Sequence, residues 1–189
     1  MLLQEQMIAR VHELCRQDDR LDAAMTYGSF VFGEGDAYSD IEFLLFFTDD
    51  AFPALDRRAW LDQIAPVAHL YTNEHGITAV IFENLIRGEF HFHSVAEMDV
   101  VKAWPGVLTF PSLDATLIAD KSGRLAPLLA PIIGPALPRT ETPNLQFLAD
   151  SFINGALFGA NVLRRGEQAR ALELLLILNR LLLQMARVL

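Results

Sequence analysis

Residues 27 to 43 read Tyr27-Gly28-Ser29-Phe30-Val31-Phe32-Gly33-Glu34-Gly35-Asp36-Ala37-Tyr38-Ser39-Asp40-Ile41-Glu42-Phe43. An apolar run, Ala23 to Tyr27, stops at Gly28-Ser29, and a second, Ile41 to Thr48, starts straight after Asp40. Both runs read as strands. Side chains alternate along a strand, so Asp40 and Glu42 share one face while Ile41 and Phe43 take the other. Two carboxylates side by side repel, and a hard cation such as Mg²⁺ relieves the repulsion by taking oxygen ligands from both. Small residues ahead of them let backbone approach a phosphate. Ser29 and the Gly33-Glu34-Gly35 turn are the expected triphosphate cradle, through a hydroxyl and backbone N–H groups. Ser39 shapes the loop or bonds a phosphate. The stretch reads as a site for a metal–nucleoside triphosphate.

Outward from it, Leu3, Met7, Val11 and Leu14 set a helical period over Leu2 to Arg16. Arg57 to Ile64 reads as a helix limited by Pro66. Strand-like runs follow at Ala68 to Thr72, Ile77 to Phe82 and Glu89 to His93. The short Gly-containing link between the first two predicts a hairpin. Ala96 to Trp104 reads as helical and Ala115 to Ala119 as a last strand. Five of the nine prolines lie between Pro127 and Pro143, which marks a linker. Two helices, Asn144 to Leu163 and Glu167 to Leu189, are split by Arg164-Arg165-Gly166. The second is apolar around most of its circumference and needs cover on several sides. The expected architecture is α/β (α+β): a mixed sheet flanked by helices over 1–126, a linker over 127–143 and a helical, bundle-like domain over 144–189.

Composition narrows the function. With 189 residues, 52% hydrophobic and 21% charged, the chain can bury a sizeable core. A net charge of −9 argues against binding nucleic acid or an anionic membrane surface. The single Cys15 fits a reducing cytoplasm and reads as a packing residue. Gln4, Glu5 and Arg10 interrupt any signal-peptide core, and Glu173, Arg180 and Arg187 argue against a membrane span in the last helix.

Gly28-Ser29, a ten-residue gap and Asp40-Ile41-Glu42-Phe43 resemble the signature of the nucleotidyltransferase superfamily related to DNA polymerase beta. With Leu85-Ile86-Arg87-Gly88-Glu89-Phe90-His91-Phe92, the chain is similar to the lincosamide nucleotidyltransferases, antibiotic-resistance enzymes that transfer AMP to a hydroxyl of lincomycin or clindamycin. The resemblance runs from about Leu3 to Arg187. It implies a nucleotidyltransferase-type sheet domain, ATP or another NTP as co-substrate, and Mg²⁺ on Asp40, Glu42 and Glu89. Glu89 is implied as the third carboxylate and general base, with Glu83 its rival. Many superfamily members have Asp where this chain has Glu42. Burial would raise the pKa of the base and a nearby metal would lower it.

Alternation puts Glu89, His91 and His93 on one face; His91 is expected to line the acceptor side, with a His-x-His zinc site as the alternative. Cations must face the leaving pyrophosphate. Candidates are Arg87, Lys121, Arg164, Arg165 and Arg170, and the resemblance favours Arg164 and Arg170 as nucleotide contacts. It also implies a small-molecule antibiotic acceptor and a longer helical bundle than this chain carries. The apolar last helix predicts a homodimer. Competing readings are an aminoglycoside nucleotidyltransferase and a non-catalytic nucleotide-binding module.

Overall fold

A computed structural model describes residues 1–73, 76–135 and 144–187. Two compact units divide the chain, Met1–Leu137 and Pro138–Leu189. In the first, the elements are α1 (Leu3–Gln17), β1 (Leu21–Tyr27), β2 (Ile41–Phe47), α2 (Arg57–Leu61), β3 (Val67–Thr72), β4 (Thr78–Phe82), β5 (Arg87–Ser94), α3 (Leu113–Thr116), β6 (Leu117–Asp120) and α4 (Leu125–Leu129). Three-ten turns lie at Phe52–Ala54, Val95–Ala103 and Ala130–Ile132. The second unit holds α5 (Leu145–Arg164) and α6 (Gln168–Ala186). The expected mixed α/β domain and C-terminal helical region are both present.

The six strands form one sheet in the order β3-β4-β5-β2-β1-β6. Every neighbouring pair is antiparallel except β2 and β5, which run parallel. A parallel pair needs a crossover; here α2 and the β3–β4 hairpin supply it. The hairpin link expected at Asn73 to Gly76 lies partly outside the described residues, but its strands pair antiparallel from Thr72↔Thr78.

The alternation of β2 and β5 builds a core on each side. One cluster joins Met7, Val11 and Leu14 of α1 to Ile41, Phe43, Phe90, Phe92 and Trp60. Its rings interlock: Phe43 and Phe90 stack at 5.1 Å, and Trp60 meets Phe92 edge-on at 5.7 Å. Rings buried this way contribute about 1.5–3 kcal/mol each. The other cluster joins Met25, Leu44 and Phe46 to Met98, Val101, Leu125, Leu129 and Ile132.

Four expectations shift. Ala115 and Thr116, expected to open the last strand, belong to α3, and β6 begins at Leu117. The helix expected over 57–64 ends at Leu61, because Asp62 accepts a hydrogen bond from the Val67 N–H (2.8 Å) and turns the chain into β3. The 96–104 segment is a three-ten helix, Val95–Ala103. The segment after 126 is not free linker as far as 133: Leu129 and Ile132 are buried, and Phe110 bridges Ile133. Proline there sets tight turns while the intervening apolar residues pack. Residues 136–143 lie outside the described residues. In the second unit, Asn144 caps α5 by accepting from the Phe147 N–H (3.1 Å), and Gly166 (φ 81°) turns the chain into α6. No helix among the described residues is long and apolar enough to cross a membrane.

Candidate active site

Register brings the acids together. Tyr27 pairs with Glu42 across β1–β2, and Glu42 pairs with Glu89 across β2–β5. Tyr27, Glu42 and Glu89 thus form one row on the face that carries Leu44, Phe46, His91 and His93. Asp40 stands two residues before Glu42, at the end of loop 28–40. Gln4 of α1 steadies that loop, its Nε2 donating to the carbonyls of Ala37 (2.9 Å) and Ser39 (3.3 Å). Thr26 Oγ1 donates to the Glu42 carbonyl (3.0 Å), which fixes the strand where the acid projects.

Gly28 is required on two counts. Its φ is 78°, a left-handed conformation that side chains disfavour, and a Cβ built there would overlap the Glu42 carboxylate. The Glu42 carboxyl therefore lies against bare backbone at the end of β1. Burial, then Asp40 and Glu89, push its pKa up to about 7, and Arg87 opposes this. Arg87 is the cation of the cluster. Its Nη1 donates to Asp40 Oδ2 and its Nη2 to Glu89 Oε1. The Tyr27 hydroxyl is driven well above the usual phenol range by burial and by Glu42, Glu89 and Asp40, so it stays protonated.

Two buried polar atoms at this edge, Ser29 Oγ and Tyr27 OH, have no hydrogen-bond partner among the described residues. A buried donor without a partner is costly unless a ligand satisfies it. Ser29, the residue expected to hold the triphosphate, brings an unpartnered hydroxyl to this edge. The turn behaves differently: the Gly33 N–H donates to the Phe30 carbonyl (3.3 Å) and the Glu34 N–H to that of Ser29 (2.9 Å), so both serve the turn itself. Ser39 shapes its loop, its hydroxyl donating to Asp36 Oδ1 (2.9 Å) and accepting from the Asp36 N–H (3.1 Å).

Glu89, not Glu83, stands beside Glu42; Glu83 lies in the turn after β4, its N–H bonded to the Pro66 carbonyl (2.8 Å). His91 meets the Tyr27 ring edge-on at 5.7 Å, and burial, then His93, lower its pKa. His93 lies 3.4 Å from Glu97. Lys121 donates to the Asp18 carbonyl (2.7 Å) at the opposite end of β1 from Gly28. Arg164 closes α5; Arg170 pairs with Glu167 (3.1 Å) and lies over the Phe158 ring at 5.5 Å. A cavity of ≈ 430 Å³ opens beside Asp40 and Arg87, and an apolar one of ≈ 230 Å³ lies against Tyr27, Gly28 and Phe32.

Among the described residues no three His, Cys, Asp or Glu side chains close into a common metal-ligand set. The donor chemistry nevertheless fits a hard divalent cation. Three carboxyls crowd one strand edge, one of them is pushed towards neutrality by burial and then by the other two, and an unpartnered hydroxyl stands beside them. The Tyr27 hydroxyl was not among the expected site groups. Its place directly before Gly28-Ser29 was the available signal.

A strand edge carrying crowded acids after a glycine–serine turn, followed by a helical domain, defines an acid-centred site suited to nucleotide chemistry. More particularly, residues 141–189 match the family described as lincosamide nucleotidyltransferase-like, C-terminal domain. That match covers about a quarter of the chain, the part that holds α5 and α6. Among solved structures, the chain is similar to an aminoglycoside 6-adenyltransferase from Bacillus subtilis, with 14% identity and a TM-score of 0.40 over 91% of this chain. This chain spans 60% of that one. No curated protein matches the sequence.

Proposed function

We propose that the chain transfers AMP from ATP to a hydroxyl of a lincosamide antibiotic such as lincomycin or clindamycin. The observation that carries this reading is the row of Glu42 and Glu89 with Asp40 beside it, set against Gly28 and the unpartnered Ser29 hydroxyl. The family match over 141–189 supports the lincosamide acceptor. Glu89 takes the proton of the acceptor hydroxyl, the acceptor oxygen bonds to the α-phosphorus, and pyrophosphate leaves with the electrons of the broken P–O bond. Ser29 donates its hydroxyl to a phosphate oxygen, and bare Gly28 leaves room for Glu42 beneath the substrate. Asp40, Glu42 and Glu89 would hold Mg²⁺, which neutralises developing phosphate charge. His91, kept neutral, lines the acceptor side.

The partner of the last helix is a second copy of the chain. Exposed Leu172, Leu175, Leu176, Leu182 and Leu183 along α6 support a homodimer, which sedimentation would reveal. The buried, lone Cys15 suits a cytoplasmic setting.

The deciding experiment is mass spectrometry of lincomycin and clindamycin after incubation with the protein, ATP and Mg²⁺, beside an aminoglycoside panel. An AMP adduct on a lincosamide, lost in Asp40→Asn, is expected. An adduct on aminoglycosides alone would replace the acceptor, and no adduct on any drug would remove the catalytic reading.

A further inference from the structure

We propose that Arg87 is a built-in counter-ion of the acidic row, which an incoming divalent cation displaces and which then serves the phosphates. The inference rests on the functional reading above and adds a control on the same site. One guanidinium spans two elements, bonded to Asp40 ahead of β2 and to Glu89 on β5. A cation that recruits both acids competes with these contacts, because the guanidinium and a hard ion draw on the same carboxylate charge. Arg87 supplies one positive charge against Asp40 and Glu89, with Glu42 adding a third carboxyl; one divalent ion offsets more.

The exchange is physically easy. The Arg87 side chain is 48% exposed, and ion pairs at such exposure hold weakly. It also has somewhere to go. The cavity of ≈ 430 Å³ beside Asp40 is lined by Gln4, Tyr38, Ser39, Leu85 and Arg87 itself. The turn before Arg87 is tied down: Leu85 N–H donates to the Phe82 carbonyl (2.9 Å) and Ile86 N–H to Asn84 Oδ1 (3.0 Å). The side chain can therefore swing while β5 stays in register. From the cavity, which Asp40 also lines, the guanidinium stays within the proposed site.

The test uses Mn²⁺ as probe, followed by paramagnetic resonance of the free ion, on the full chain at low salt. Arg87→Gln should bind Mn²⁺ alone roughly fivefold or more tighter, the factor expected for removing one unit charge at a wet site. The same variant should bind Mn-ATP more weakly, because a phosphate cation is lost. Opposed shifts are the signature of displacement. Unchanged or weaker Mn²⁺ binding by a folded Arg87→Gln would overturn the proposal. Arg87→Lys covers the case of an unfolded glutamine variant: it keeps the charge but grips one carboxylate at a time, so Mn²⁺ should still bind tighter than in wild type, and wild-type affinity would overturn the proposal equally. The drug-adduct assay is read separately. Opposed shifts without any adduct would keep the counter-ion and discard the acceptor.

Discussion

The two faces of strands β2 and β5 differ more than any two stretches of the sequence do. On one face Phe43, Phe90 and Phe92 stack into a dry core with Trp60. On the other, one residue away in each strand, Glu42, Glu89 and His91 form a half-buried row of titratable groups. The same backbone hydrogen bonds serve both. The packed face fixes the register, and register places Glu42 beside Glu89. Precision at the site is thus inherited from aromatic packing behind it, and the two faces should fail in different ways when altered.

The largest separation is expected at adjacent residues of β5. Glu89→Gln should lower nucleotidyl transfer by about 10²–10⁴-fold, the usual worth of a general base, with the thermal melt retained. Transfer at the normal rate would move the base elsewhere. Its neighbour Phe90 is fully buried. Phe90→Ala should destabilise the fold by about 3–5 kcal/mol in chemical denaturation, and activity should fall with the folded fraction. If Phe90→Ala instead left stability intact and changed only the transfer rate, the division of labour between the faces would be wrong.

Much of this contrast was legible in the sequence because strand alternation is a local property. Ile41 and Phe43 against Asp40 and Glu42, and Phe90 and Phe92 against Glu89 and His91, fall on the sides their spacing predicts. What escaped depends on which strands meet. Arg87 stood out only as one cation among several, because its grip on Asp40 needs β5 to lie parallel to β2 after a crossover through β3 and β4. The conflict between a Gly28 side chain and Glu42 needs the β1–β2 register. The segment after 126 was read as linker because prolines marked it, while Leu129 and Ile132 carried the apolar signal that packs it onto the sheet.

Gly28 sharpens the comparison from the backbone side. Gly28→Ala places a methyl group where the Glu42 carboxylate lies and holds a non-glycine residue at φ 78°. The strain should cost about 1–2 kcal/mol. Because the displaced group is the acid, nucleotide turnover should drop further than the stability loss explains. A variant with wild-type turnover would mean that Glu42 does not need to rest against the turn.

The smallest effect tests the electrostatics of the row alone. The folded-state pKa of Glu42, about 7, lies above that of a free glutamate, about 4.3. Between these values the folded protein holds a proton that the unfolded chain releases. The resulting stability is complete below the unfolded pKa and is lost as pH rises through about 7. His12 and His91, both lowered chiefly by burial, act in the opposite direction, losing stability as pH falls. The total melting curve therefore mixes the two, and only the difference between wild type and Glu42→Gln isolates the acid. With divalent ions chelated, wild type should lose roughly 1–3 °C more than the variant between pH 5 and pH 8, a modest figure because the carboxyl is half exposed and partly screened. Parallel curves for the two proteins would show that the row is fully compensated by Arg87. In that case the pull on an incoming cation would come from the geometry of the donors rather than from uncompensated charge.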